Sequence, residues 1–408
     1  MINRQELNTM TDEELDKLVS RLLEKIEDIN ETVLIMSGEM VKKIGKLCPT
    51  ETHKLQRILA SGTDIIRITH LLTKTSKTSM DEIEDIYLKA AQDNYSFAEQ
   101  FYRYRGIGYV PFPKNRPLQR IIKAVAKQTS NEFENLSKTT VFSLKTYQGN
   151  IRYVPIKKAY KELIDNAVIM VQNGVTNYQS AIRNILKQYA DSGIRTVQYE
   201  SGYSRRLDTA VRQNIIDGVK QINLEVQNLV GKEYGSDGKE ISVHNTCAPD
   251  HLPFQGHQFK NEEFDKLQSA RQFKDINEVT FSPVKRPIGQ WNCRHFAFPI
   301  ILGVSSPVYT KKQLQKIREE NNKKITIQGK QYTLYEATQE QRKLETAIRY
   351  AKDRSIIAKA SGDNTLLLSE QMKLTDLTRQ YKSFSKAAGL PVKQNRTNVI
   401  GYQRFIKN

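Results

Sequence analysis

The chain has 408 residues, of which 38% are hydrophobic and 26% charged, and its formal net charge is +18 at pH 7. This length is typical of two or three domains, and the sequence has no run of the roughly 18 apolar residues that a membrane-spanning helix requires. Only three cysteines are present, Cys48, Cys247 and Cys293, which argues against a disulfide scaffold, and the first residues lack the apolar segment of a secretory signal, so we expect a protein made in a cytoplasm.

A long amphipathic helix is predicted from Asp12 to about Ile44. Its apolar residues recur every three or four positions and therefore form one stripe along the helix. Thr11 and the acidic residues after it suit a helix N-terminus, and Pro49 follows the end. Such a stripe packs against another helix, and we interpret it as a protein-docking or bundle face. Its members are Leu15, Leu18, Leu22, Ile26, Ile29 and Val33.

Further helical patterns continue through the first half of the chain. Two of them, at residues 52–73 and 80–103, favour an antiparallel bundle together with the first helix. Residues 105–113 contain two glycines and two prolines, which indicates a loop or a domain boundary. Residues 194–199 alternate like a short strand. The remaining helical patterns cover residues 117–144, 157–173, 177–191 and 204–229.

The pattern changes near Gly231. Residues 241–244 are predicted as a strand, residues 244–310 as a loop-rich region, and residues 325–334 as a β-hairpin. Helices are predicted again at 337–360 and 366–388. The expected fold is therefore mainly α, with an N-terminal helical bundle, a small α+β core at roughly 190–335 and basic C-terminal helices.

Most of the histidines and cysteines lie between His244 and His295. Within this stretch, Cys247, His251, Cys293 and His295 would supply two thiolates and two imidazoles. This ligand set suits a tetrahedral zinc ion. The Cys-x3-His and Cys-x-His spacings differ from those of common zinc fingers. A structural zinc site is thus one interpretation of the cluster.

Two other interpretations remain open. In the first, no metal binds: the histidines hydrogen-bond to loop carbonyls, and Asp250 and Arg294 form an ion pair. In the second, the cluster is catalytic, with His251 or His295 as general base, oriented by Asp250, and Cys293 as nucleophile. The sequence has no Walker loop and no metalloprotease motif to support catalysis. We favour the hydrogen-bonded nucleus, so no cofactor is assigned, and structural zinc is kept as the alternative.

Charge is distributed unevenly along the chain. Residues 1–100 carry 18 acidic and 13 basic side chains, whereas residues 311–408 carry 9 acidic and 21 basic ones. A basic region suits a polyanion such as DNA, through contacts to phosphates that do not depend on sequence. The alternative is that these cations only keep exposed helices soluble. The candidate DNA-proximal residues are Lys311, Lys312, Lys316, Arg318, Lys323 and Lys324.

Two segments of the Cys/His region resemble the signature of tailed-phage minor capsid proteins of the MuF-like head-morphogenesis group. The first runs from Cys247 to Gly256, and the second is Trp-Asn-Cys-Arg-His at 291–295. Phe254 stands where this family has Trp, and His257 where it has Lys. Residues 178–212 and 335–349 also resemble the family, so the likeness covers most of the chain. The signature residues are Pro249, Asp250, His251, Gln255, Gly256, Trp291, Asn292, Cys293, Arg294 and His295.

The resemblance implies a structural virion component and not an enzyme. It implies a few copies per particle near the portal and the inner face of the head, with the portal protein, capsid or scaffolding subunits and packaged double-stranded DNA as partners, after assembly in the host cytoplasm. The alternative, from the residues alone, is a metal-dependent hydrolase or nuclease using the Cys/His cluster. The expected regions are a docking region (1–110), a helical connector (111–190), a MuF-like α+β core (191–335) and basic C-terminal helices (336–408).

Overall fold

The structure is a computed structural model that describes residues 12–44, 63–145, 150–197, 204–268, 287–288 and 293–402. The chain folds into two compact units, each assembled from three chain segments. The first unit takes its described residues from 1–20, 80–131 and 212–339, and the second from 21–79, 132–211 and 340–408. The four consecutive regions expected from the sequence divide the chain in another way, and they stay a prediction.

Helices make up most of the described residues, which confirms the mainly α fold class. The first predicted helix is found at its predicted bounds, whereas the start of the second lies outside the described residues. A short 3-10 helix, Phe112–Lys114, interrupts the loop after the third helix. The helices are α1 Asp12–Ile44, α2 Thr63–Thr78, α3 Met80–Arg105, α4 Arg116–Lys138, α5 Ile156–Gln172, α6 Tyr178–Ser192, α7 Leu207–Glu233, α8 Asn261–Gln268, α9 Lys311–Asn322, α10 Leu334–Ser361, α11 Asn364–Ala387 and α12 Gln394–Thr397.

The described strands form three small antiparallel sheets. Their orders are β2-β1-β3-β4, β6-β5-β7 and β8-β9. The last pair is the predicted hairpin, whose turn residues Gln328 and Gly329 have φ of 51° and 79°, as a two-residue turn of this kind requires. The strands are β1 Thr140–Lys145, β2 Ile151–Pro155, β3 Arg195–Val197, β4 Ser204–Arg206, β5 Gly238–Ile241, β6 Gln258–Lys260, β7 Ala297–Ile300, β8 Ile325–Ile327 and β9 Lys330–Tyr332.

The four-stranded sheet belongs to the second unit and corrects two predictions. Residues 140–144 were expected to continue a helix, but α4 ends at Lys138 and β1 follows, with its Thr, Val and Phe side chains suited to a pleated surface. Residues 204–206 were also expected in a helix, but they pair with β3 as β4. Helices α5 and α6 both contact β1, and Phe142 meets Tyr189 edge to face at 5.7 Å between ring centroids.

A network of buried charges also lies in the second unit. Arg206 Nη1 donates to Asp353 Oδ2 at 2.6 Å, and Arg206 Nε lies 3.6 Å from Asp208 Oδ1. Arg349 binds Asp208 and also lies 3.6 Å from Glu27 Oε1. Burial raises the pKa of Glu27 to about 7, although Arg349 opposes the shift. Burial also raises the pKa of Asp208, but the two guanidinium groups outweigh it and hold that pKa below its ordinary value.

In the first unit, helices α3, α4 and α7 share buried polar contacts. The hydroxyls of Tyr87 and Thr129 lie 2.8 Å apart, and Tyr87 Oη also donates to the Ile215 carbonyl at 3.3 Å. A Cβ placed on Gly218 would lie only 1.8 Å from Tyr87 Oη, so a glycine is required for this approach of α7 to α3. Tyr102 on α3 donates a hydrogen bond to Glu233 at the end of α7.

The three-stranded sheet carries the Cys/His region, and most of the described residues of that region lie outside helices and strands, which confirms the loop-rich prediction. Residues 244–310 contain β6, α8 and β7, and β5 begins three residues before the predicted strand. This sheet and α8 enclose a small apolar core of Ile241, Phe264, Leu267, Ile288 and Ala297. Across the described part of the chain, none of the helices has the length and apolar character needed to span a bilayer.

Candidate functional site

Two chain segments meet at the end of β5 and form the Cys/His region. Ser242 N donates to the Phe296 carbonyl at 2.8 Å, and Phe296 N donates to Ser242 Oγ at 2.8 Å. These two bonds join the segment after β5 to the segment before β7. Residues 248–255 then fold into successive turns, in which His251 N donates to the Ala248 carbonyl at 3.0 Å and Gln255 N to the His251 carbonyl at 3.2 Å. The cluster residues are thus held by satisfied backbone hydrogen bonds.

Three of the predicted residues converge in the interior. Cys293 Sγ lies 3.3 Å from His251 Nδ1 and 3.2 Å from His295 Nδ1. The side chains of His251 and His295 are 1% exposed and that of Cys293 is 4% exposed. These three residues form one of two groups in the described chain whose ligand atoms lie within 4.8 Å of one another.

The fourth predicted residue, Cys247, lies on the other side of the His295 ring. Its Sγ is 3.5 Å from His295 Nε2 and donates to the Ala248 carbonyl at 3.3 Å. It forms the second group with His244 and His295. The structure therefore brings all four predicted residues together, but as two groups that share one imidazole.

Polar oxygens face the outer nitrogens of the two buried histidines. Gln255 Oε1 lies 3.2 Å from His295 Nε2 and also accepts a hydrogen bond from His244 N at 3.2 Å. Asp250 Oδ2 lies 3.6 Å from His251 Nε2. Because both oxygens are acceptors, both favour a proton on the Nε2 atom that they face. The ion pair predicted between Asp250 and Arg294 stays a prediction.

The signature residues have distinct structural positions. Gly256 has φ +72°, and a Cβ there would lie 2.3 Å from Leu314 Cδ2, so a side chain is excluded by both conformation and packing. Pro249 is exposed on the turn, whereas Gln255 is buried. Trp291 and Asn292 lie outside the described residues. Of these positions, Gln255 contacts the cluster directly, and Gly256 permits the turn beside it.

The space beside the cluster is small. A cavity of about 20 Å³ adjoins His295 and is lined by Lys220, Phe296 and Asn94 among others. Lys220 Nζ lies 3.5 Å from the centroid of the Phe296 ring, in a cation–π contact. A cavity of this size holds about one water molecule.

A family model for phage minor capsid protein 2 matches residues 10–386 of this chain. The chain belongs to this family. Its membership makes it a phage minor capsid protein, located in the virion. No curated protein and no solved structure matches the chain.

The predicted docking stripe of this minor capsid protein is mostly buried within the chain itself. Leu22, Ile26, Ile29 and Val33 are 5% exposed or less. Leu18 is half-buried, and the side chain of Leu15 lies outside the described residues. Packing inside the protein accounts for this stripe, and a contact with another protein stays a prediction.

The predicted basic residues are all exposed, on α9 and the turn after it. Thr310 caps this helix: its hydroxyl accepts from Gln313 N at 3.3 Å, and Gln313 Oε1 accepts from Thr310 N at 2.8 Å. Helix α9 is not among the helices predicted from the sequence, although the capping box of Thr310 and Gln313 indicates its start.

The second unit also has a groove with a volume of about 890 Å³, which was not predicted. Exposed apolar residues lie along it, including Ile151, Ile169 and Val175. Its walls come from β1, β2, α5 and α6, and the sequence pattern showed neither of these two strands. The pairing of strands that forms this groove cannot be predicted from the periodicity of short stretches of sequence.

Proposed function

We propose that this minor capsid protein is a non-enzymatic component of the phage head that lies at the portal and next to packaged DNA. The observation that supports the proposal is the family match over residues 10–386. A structural role at the portal brings the protein close to the DNA that enters the head. The proposal therefore names two partners, the portal protein and the DNA, and a separate experiment tests each of them.

Helix α9 is the DNA-contacting surface in this proposal. Residues 311–324 carry six exposed cations, and the acidic residues of this segment are Glu319 and Glu320. Lys316 Nζ lies 3.8 Å from Glu320 Oε1, and both side chains are more than half exposed, so this ion pair leaves the lysine accessible. Flexible exposed cations neutralise phosphates and release counterions, which suits binding to any DNA sequence.

Salt-dependent binding to double-stranded DNA tests this part. We expect the full-length protein to bind, and the triple variant Lys312→Gln, Lys316→Gln, Arg318→Gln to bind more weakly. The slope of log K against log salt should become shallower by up to about 3, because each lost phosphate contact contributes roughly 0.9. The matched control replaces three exposed cations of α11 by Gln: Lys373, Lys382 and Lys386. An equal loss in the control would overturn the assignment to α9.

Portal association is tested on virions of the phage that encodes this chain. Mass spectrometry of purified particles should detect the protein, and it should co-purify with the portal protein when the two are expressed together. A protein that is present in virions but is recovered only with the major capsid protein would remove the portal part and keep the capsid role.

The non-enzymatic part rests on access. The groups that a hydrolase would use, His251, Cys293 and His295, are at most 4% exposed, and the cavity beside them holds about one water molecule. This burial favours a structural role for the cluster over catalysis on a nucleotide or peptide. Incubation with DNA and a set of divalent metals should give no cleavage. Cleavage by the wild type that is lost in His251→Ala would establish the hydrolase alternative instead.

A further inference from the structure

We propose that His251, Cys293 and His295 bind one zinc ion, and that Asp250 and Gln255 orient the two imidazoles. The proposal concerns the chemistry of the buried cluster and is independent of the portal and DNA contacts. It also names the ligands more narrowly than the four-residue set, because it leaves Cys247 out.

The spacing of the three ligand atoms suits zinc. Zinc binds sulfur at about 2.3 Å and nitrogen at about 2.0–2.1 Å, so a tetrahedral arrangement separates a sulfur and a nitrogen ligand by roughly 3.6 Å. The Sγ of Cys293 lies 3.3 Å and 3.2 Å from the two Nδ1 atoms. These two distances are shorter than that separation by a few tenths of an ångström, so the side chains would move outward by about that amount to admit the ion.

The oxygen atoms of Gln255 and Asp250 determine which nitrogen of each histidine is available to bind zinc. Gln255 Oε1 accepts a hydrogen bond from the His244 backbone N–H, which fixes the orientation of its amide. The same oxygen faces His295 Nε2, and the Asp250 carboxylate faces His251 Nε2, so both protons belong on Nε2. Both Nδ1 lone pairs then point toward Cys293. At 3.6 Å, Asp250 acts mainly through its charge.

The count of protons favours a cation between these atoms. With both imidazoles protonated on Nε2, two Nδ1 acceptors face one thiol, which has a single proton. That proton can lie in only one of the two sulfur–nitrogen contacts. A zinc ion with a Cys293 thiolate satisfies both contacts at once, and the thiol proton leaves to solvent when the metal binds.

The other group of ligand atoms is less suited to the ion. To use it, His295 would have to bind through Nε2, which already faces Gln255 Oε1 at 3.2 Å. Cys247 donates its S–H to the Ala248 carbonyl, so it behaves as a thiol and not as a thiolate. The proposed site therefore has three protein ligands, His251, Cys293 and His295.

Zinc content of the full-length protein tests the assignment. We expect about one zinc per chain in wild type, at least a tenfold loss of bound zinc in Cys293→Ser, and no loss in the matched control Cys247→Ser. Far-UV circular dichroism verifies that each variant is folded. Loss in Cys247→Ser with retention in Cys293→Ser would assign the metal to the other group and overturn the proposal.

A measurement on wild type alone guards against misfolding of the variants. Cobalt replacing zinc should give an intense thiolate-to-cobalt absorption band, and zinc should displace it. Wild-type protein that binds neither ion, when loaded from the metal-free form at neutral pH, would refute the site and leave a purely hydrogen-bonded cluster.

Discussion

Removal of the Asp353 charge should destabilise the protein strongly. Asp353 is fully buried and accepts a 2.6 Å hydrogen bond from Arg206, which is 9% exposed. In Asp353→Asn this guanidinium stays buried and keeps Asp208 as an anionic neighbour, at 3.6 Å. Breaking a buried ion pair typically costs about 3–5 kcal/mol. We expect the lower half of that range, because Asp208 compensates part of the loss.

Urea unfolding followed by far-UV circular dichroism measures this cost as the shift of the midpoint multiplied by the slope m. The matched control is Asp376→Asn, which breaks the exposed pair with Arg379 on α11 and should leave the midpoint unchanged. Replacement of both buried partners, as in Arg206→Met with Asp353→Leu, should recover most of the stability because no unpaired charge remains. A midpoint for Asp353→Asn equal to that of wild type would refute the reasoning.

Three further predictions concern single sites. The folded-state pKa of Glu27, about 7, lies above the ordinary 4.5, so the wild-type protein loses stability as pH rises from 5 to 8. Glu27→Gln lacks this titration, so its stability relative to wild type should increase by up to about 3 kcal/mol over that range. Urea unfolding at pH 5 and at pH 8 measures the difference, and a difference that is the same at both pH values would contradict the prediction. Gly218→Ala should cost about 1–3 kcal/mol in urea unfolding, because its Cβ would overlap Tyr87, whereas exposed helical glycines gain stability from the same change. Gln255→Met should weaken zinc affinity by about 10–100-fold in a chelator competition while one zinc still binds at saturation, and an unchanged affinity would remove Gln255 from its positioning role.

The long helices were predictable because their signal is local. The stripe of α1 repeats every three or four residues, and the structure places the helix at Asp12–Ile44 as predicted. The sheet around β1 was not predictable in the same way. Thr140–Lys145 pairs with β2 nearby, but also with β3, about fifty residues further along the chain. No short window of sequence contains that pairing, so the helical pattern before it was extended too far.

The Cys/His cluster shows the same limit at a finer scale. The sequence identified Cys247, His251, Cys293 and His295 from their chemistry. It could not show that the His295 ring would lie between the two sulfurs. Which nitrogen faces which partner depends on the turns of residues 248–255 and on the pairing of Ser242 with Phe296. Residue types therefore predicted a site, and only the three-dimensional arrangement divides it into two groups.

The excess of positive charge in the last quarter of the chain is larger than the accessible positive charge that the proposed DNA contact would use. Arg349 and Arg354 count toward that excess, but Arg349 binds Asp208, and Arg354 donates to Asp191 at 2.5 Å and to Glu370 at 3.4 Å.

The charges of these two guanidinium groups are balanced by neighbouring carboxylates, so they contribute little to binding phosphates. The six cations of α9 and of the residues just after it are instead all exposed. Counterion release depends on the cations that can reach phosphates. Removal of three α9 cations should therefore lower the slope of log K against log salt by a larger fraction than three out of the 21 basic residues of this region would suggest.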